Sequence, residues 1–160
     1  MDFERADALN TAIRTIGIRH RALAGALLAP LGLHPGQEVL LLELDAQGPR
    51  SQGQLAASSG CEPPTITVSV RKLEAAGLVV RRASTSDARV TIVELSDRGK
   101  ALMPGLKDAW RQLADVTVAQ LTSIPVERLA DVMSDVAASL TSSDARPGHA
   151  RPEILPPRGS

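Results

Sequence analysis

The stretch from Pro63 to Ser96, PPTITVSVRKLEAAGLVVRRASTSDARVTIVELS, limits what this chain can fold into more than any other part of it. It begins with a short helix whose ends are written in the residues. Two prolines can occupy the N-cap and first helical positions, where a missing N–H costs nothing, and Gly77 supplies the left-handed residue that stops the helix. Ile66, Val70, Leu73 and Ala76 recur at helical spacing, while Thr65, Thr67, Val68, Arg71 and Lys72 fall on the opposite face. One face is therefore buried, and the other presents hydroxyls, methyls and two cations. Two extended runs follow, Leu78 to Ser84 and Arg89 to Leu95, rich in β-branched residues and joined by the polar tip Thr85-Ser86-Asp87-Ala88. They predict a hairpin that bears Arg81, Arg82 and Arg89.

The residues upstream complete a pattern. Ser51-Gln52-Gly53-Gln54 fits a capping box, with Ser51 as N-cap and Gln54 reaching back, so a short helix is expected over residues 52–58. Ser59-Gly60-Cys61 is the turn before Pro63. Helix, turn, helix and cationic hairpin together are the plan of a winged helix-turn-helix. The run LEAAGLVVRR, then DAR, then ELSDRGKAL resembles the MarR-type transcriptional regulators, and the resemblance covers roughly residues 5–141. It implies a mainly α fold with a small β-hairpin wing, and N- and C-terminal helices that interleave in a dimer.

The flanking segments agree with that plan. Residues 3–28 read as one long helix in which Leu9, Ile13, Ile16, His20, Leu23 and Leu27 form a heptad-like stripe. A second helix starts at Pro35 or Gly36 and runs to Ala46. After the hairpin, Ser96 or Asp97 can cap a helix through about Leu121 that bears Leu102, Leu106, Trp110 and Leu113, with a kink expected at Pro104-Gly105. A break at Ser123-Ile124-Pro125 precedes a last helix with Val126, Leu129, Met133, Val136 and Leu140 in heptad steps. The expected organisation is dimerisation helices at 1–34 and 96–141, a DNA-binding lobe at 35–95, and a flexible proline-containing tail at 142–160.

Composition removes other classes. The 160 residues suit one domain, no apolar run approaches the eighteen residues of a membrane span, and MDFERADAL lacks the basic-then-apolar order of a signal peptide. A soluble, cytoplasmic protein is expected, with no membrane partner. Cys61 is the only cysteine, which rules out an intrachain disulfide, and the histidines have no ligand spacing, so neither metal nor cofactor is expected. No paired catalytic constellation, phosphate-binding glycine loop or nucleophile motif argues for an enzyme. The formal charge is zero, yet from Arg50 to Arg89 six basic residues face three acidic ones. Cations are thus concentrated on the unit that would meet double-stranded DNA.

The candidate DNA-contacting residues are Ser51, Pro63, Thr65, Thr67, Val68, Arg71, Lys72, Arg82, Asp87 and Arg89. Hydroxyls can bond bases or phosphates, the Val68 methyls can meet a thymine methyl, and the cations can reach phosphate or guanine. Asp87 and Arg89 match the Asp-x-Arg wing of the family, in which the resemblance implies that the arginine looks towards the minor groove or its flanking phosphates and the aspartate holds it. Val68 and Ser69 depart from the family, where longer or larger residues often stand. Leu9, Ile13, Ile16, Trp110, Leu129, Met133, Val136 and Leu140 are the candidate homodimer interface. His20, with Arg14 and Arg21, and with Arg19 nearby, is a candidate cleft for a small anionic or aromatic effector. The function expected is a homodimeric regulator, a repressor of a pseudo-palindromic operator relieved by that effector. The alternatives are a winged-helix protein-interaction module and a thiol-based redox sensor acting through Cys61, which precedes a helix N-terminus.

Overall fold

A computed structural model describes residues 1–87 and 89–144. The elements are α1 (Phe3–Leu28), a 3-10 turn (Ala29–Leu31), α2 (Gln37–Gln47), β1 (Arg50–Ser51), α3 (Gln52–Ser59), α4 (Pro63–Ala75), β2 (Val79–Ala83), β3 (Thr91–Leu95), α5 (Asp97–Val118) and α6 (Val126–Asp144). The chain divides into two compact units, Met1–Thr117 and Val118–Ser160.

In the first unit one core draws on α1 to α5 and on β2 and β3. Leu28, Leu40, Leu41, Leu55, Ile66, Val70, Leu73, Val79, Val93 and Leu106 are its largest fully buried side chains. Burial of each is worth about 1.5–3 kcal/mol relative to exposure. α2 enters this core with Gln37 and Glu38 also buried, and both are paired locally: Gln37 Oε1 accepts from the His34 N–H (2.9 Å) and Glu38 Oε2 from the Gly36 N–H (2.6 Å). Lys107 of α5 pairs with Asp45 of α2 at 2.7 Å.

α4 forms where its periodicity places it, with Ile66, Val70 and Leu73 inward. Its N-cap is Glu62 rather than a proline, and the two prolines take the first helical turn, where neither ring meets a preceding carbonyl. Its end is a Schellman motif. The Gly77 N–H bonds the Glu74 carbonyl (2.8 Å), the Leu78 N–H bonds the Leu73 carbonyl (2.9 Å), and Gly77 has φ +71°. Leu73 and Leu78 are both buried, which completes the apolar contact of that motif.

The sheet is antiparallel in the order β1-β3-β2, so β3 is central. β2 pairs with β3 from Val79↔Leu95 to Ala83↔Thr91; the first expected strand loses one residue at each end, and the second loses Arg89 and Val90 to the turn but ends at Leu95 as expected. β1 was not anticipated: two residues, Arg50↔Val93 and Ser51↔Ile92, are too few to show an alternation. Ser51 closes β1 and opens α3, since its Oγ accepts from the Gln54 N–H (3.1 Å) while Gln54 Oε1 accepts from the Ser51 N–H (2.9 Å). That capping box is worth about 1 kcal/mol.

α5 runs unbroken through Pro104 and ends at Val118, three residues before the expected Leu121. In the second unit α6 extends to Asp144, past the expected limit of residue 141. The proposed tail from residue 145 onward lies outside the described residues. Among the described residues no helix is long and apolar enough to cross a membrane.

Candidate nucleic-acid interface

Helical geometry sets Val68 at the middle of the outward face of α4, and Val68 is 51% exposed. Pro64 lies one turn before it, and Arg71 and Lys72 flank it one turn later, all three exposed. Thr65 is exposed beside them, and Pro63 is exposed at the first helical position. Thr67 sits differently: it is half-buried, and its hydroxyl donates to the Pro63 carbonyl (3.0 Å), with Gln52 Oε1 at 3.5 Å. The proton that sequence reasoning offered to a base is thus held by the helix itself. Gln52, at the start of α3, is the neighbour that sequence spacing did not single out.

Between Pro64, Thr65, Val68, Ser69 and Lys72 lies a shallow depression of about 410 Å³. It exists because Val68 and Ser69 are small. Ser51, in β1 at the start of α3, is half-buried and uses its hydroxyl oxygen as a cap acceptor.

The wing loop is tied together by its own polar groups. The Ser84 N–H bonds the Val90 carbonyl (2.8 Å), the Val90 N–H bonds the Asp87 carbonyl (2.9 Å), and Asp87 Oδ1 accepts from the Arg89 N–H (2.9 Å). Asp87 therefore fixes the backbone of Arg89, in the manner of an Asx turn. Arg89 is exposed.

Ion pairing sorts the cations of this region into two groups. Arg50 lies 3.8 Å from Glu43 and donates to Gln47 (3.0 Å), Arg81 donates to Glu74 (2.8 Å), and Arg82 lies 3.4 Å from Glu94 across the β2–β3 ladder. The hydrogen bond with Arg81 holds the Glu74 carboxyl below the usual glutamate range and raises the guanidinium of Arg81 in turn. Among the described residues, Arg71, Lys72 and Arg89 form no ion pair. Within this region, among the described residues, the cations that no carboxylate of the chain pairs thus lie on the outward face of α4 and at the wing tip.

The other candidate residues fall elsewhere. Thr15, Ile16, Arg19, His20, Leu23, Val116 and Thr117 line a cleft of about 290 Å³ between α1 and α5. Arg19 and His20 reach it; Arg14 and Arg21 are exposed and do not line it. Leu9, Ile13, Ile16 and Trp110 are exposed in the single chain, as are Met133, Val136 and Leu140 of α6, while Leu129 is half-buried. Cys61 is exposed, and its thiol lies 3.7 Å from the Ser59 carbonyl. No group of three or more metal-ligating side chains occurs among the described residues.

Residues 33–91 match the model of the MarR family. A helix-turn-helix-type transcriptional repressor of Mycobacterium tuberculosis is 33% identical over 108 residues, which cover 68% of this chain and 78% of the relative. Two solved structures share the fold. MarR of Escherichia coli, as a mutant complexed with operator DNA, has a TM-score of 0.75 at 20% identity, covering 85% of this chain and 99% of that one. Bordetella bronchiseptica BpsR, whose DNA binding is regulated by 6-hydroxynicotinic acid, has a TM-score of 0.71 at 24% identity, covering 82% and 98%. Motif, wing and relatives agree, and this chain belongs to the MarR family of DNA-binding transcriptional regulators.

Proposed function

We propose that two copies of the chain form a homodimer that binds a pseudo-palindromic operator and represses transcription from it. The observation that carries this reading is the sorting of the cations. Among the described residues, Arg71, Lys72 and Arg89 have no acidic partner on the helix face and wing tip that a winged helix-turn-helix turns towards DNA, while the neighbouring arginines are paired. The basic wing argues against a winged-helix module that binds a partner protein instead of DNA. In the dimer, α4 and its symmetry mate enter successive major grooves about 34 Å apart, and the wings lie along the flanking backbone.

The exposed apolar stripes of α1 and α6 are the surfaces that the homodimer buries. The cleft with Arg19 and His20 against Ile16, Leu23 and Val116 combines cationic and apolar walls, which suits a small aromatic acid. Occupation there biases the spacing of the two recognition helices and releases the operator. Because 6-hydroxynicotinic acid regulates DNA binding by the Bordetella protein, it is the first compound to titrate.

A shift assay across a salt series tests the DNA reading. Arg89→Ala should weaken binding to all duplexes and lower the slope of log K against log salt by about one. A slope identical to that of the unmodified chain would remove the wing tip from the interface. Equal affinity of the unmodified chain for its own upstream DNA and for random duplex would remove the operator reading itself.

A further inference from the structure

We infer that Val68 is a specificity-determining residue that reads the 5-methyl group of thymine in the major groove, by shape and apolar contact rather than by hydrogen bonding. This rests on the DNA-binding reading above. The side chains around the middle of the outward face of α4 are Pro64, Thr65, Val68, Ser69, Arg71 and Lys72. No amide or carboxylate stands among them, so the bidentate reading of adenine by Asn or Gln, and of cytosine by Asp or Glu, is absent from this face.

The hydroxyl of Thr67, at its edge, is already donated to the Pro63 carbonyl (3.0 Å). What remains at the centre is a half-exposed isopropyl group beside a depression of about 410 Å³. Its walls are the Pro64 ring, the Thr65 and Val68 side chains, the small Ser69 and the Lys72 stem. Although the Thr65 and Ser69 hydroxyls stand at its edge, most of the surface of the recess is apolar, and in the major groove the group that fits such a surface is the thymine methyl. The unpaired Arg71 and Lys72, one turn along, bring phosphate to the rim of the same recess and so seat the base edge against it.

The test takes a duplex selected by the full chain from a random pool, and replaces each thymine in turn by uracil, which deletes the methyl and leaves every hydrogen bond in place. At one position in each half-site, binding should weaken roughly fourfold, the value of one buried methyl group. Val68→Ala, a change at an exposed position outside the core, should bind the two duplexes equally at that position. Uracil tolerated at every position, or a penalty that persists in Val68→Ala, would overturn the inference while leaving DNA binding intact. If no duplex is bound at all, the inference falls together with the DNA reading.

Discussion

At Gly99 a β-carbon would stand 2.1 Å from the carbonyl oxygen of Leu78, closer than any real side chain approaches backbone. Next to it, the Ser96 hydroxyl accepts from the Gly99 N–H (3.0 Å) and donates to the Gly77 carbonyl (2.6 Å), and the Ser96 N–H bonds Leu78 (3.0 Å). The run ELSDRGKAL, recognisable as a family motif, is thus a joint: Ser96 caps α5 and ties it to the turn after α4, and glycine lets the first turn of α5 press against that turn. Helix propensity alone favours alanine at this position by about 1 kcal/mol. Steric exclusion by backbone outweighs it, so Gly99→Ala should destabilise the protein by about 1–3 kcal/mol, seen as a lower urea midpoint at unchanged m. An equal or higher midpoint would contradict the close approach. At this scale the sequence showed which residue types recur, but not that Thr67 spends its proton on Pro63 or that Arg19 rather than Arg14 reaches the cleft. Both outcomes depend on side-chain directions that spacing leaves open.

The elements were largely legible, because their signals are local. The Pro63-Pro64 start and the Gly77 stop of α4, the Ser51–Gln54 box of α3 and the β-branched runs of the wing each act within a few residues. β1 was not, since two residues become a strand only through pairing with β3. The link from α4 to the wing is also tertiary: Glu74 of the helix accepts from Arg81 of β2, which lowers the Glu74 pKa. A carboxyl whose folded pKa is depressed contributes stability above its unfolded pKa, and that contribution is lost as pH falls through the folded value. Glu74→Gln should therefore lower the urea midpoint at neutral pH, and the gap to the unmodified chain should close as pH falls below the ordinary glutamate range of about 4.3. The pair is solvent-exposed, so the gap should also shrink in high salt. A gap that is constant from acid to neutral pH would mean that the carboxylate is not the source of the effect.

For the whole molecule the question is what covers the apolar stripe of α1, whose buried residues in the single chain are Ala24 and Leu28 alone, near its end. Leu9 (49% exposed), Ile13 (43%) and Ile16 (47%) leave a row of aliphatic side chains open to water on a helix much longer than its contact with the core. If a second copy covers them, Ile13→Asp should yield a species of single-chain mass in sedimentation. Its DNA affinity should fall by a factor of 10² or more, because two half-sites are no longer held together. A variant that sediments like the unmodified chain would exclude this stripe from the interface.

The sequence by itself determined the order of helices and wing, the faces of α4 and the family, since caps, periodicity and turn residues are short-range signals. Only the tertiary structure decided which cations remain unneutralised, which glycine permits a close approach, and which side chains line each recess. Those depend on residues far apart in the chain meeting in space, where charge is cancelled and volume excluded by neighbours that no local pattern names.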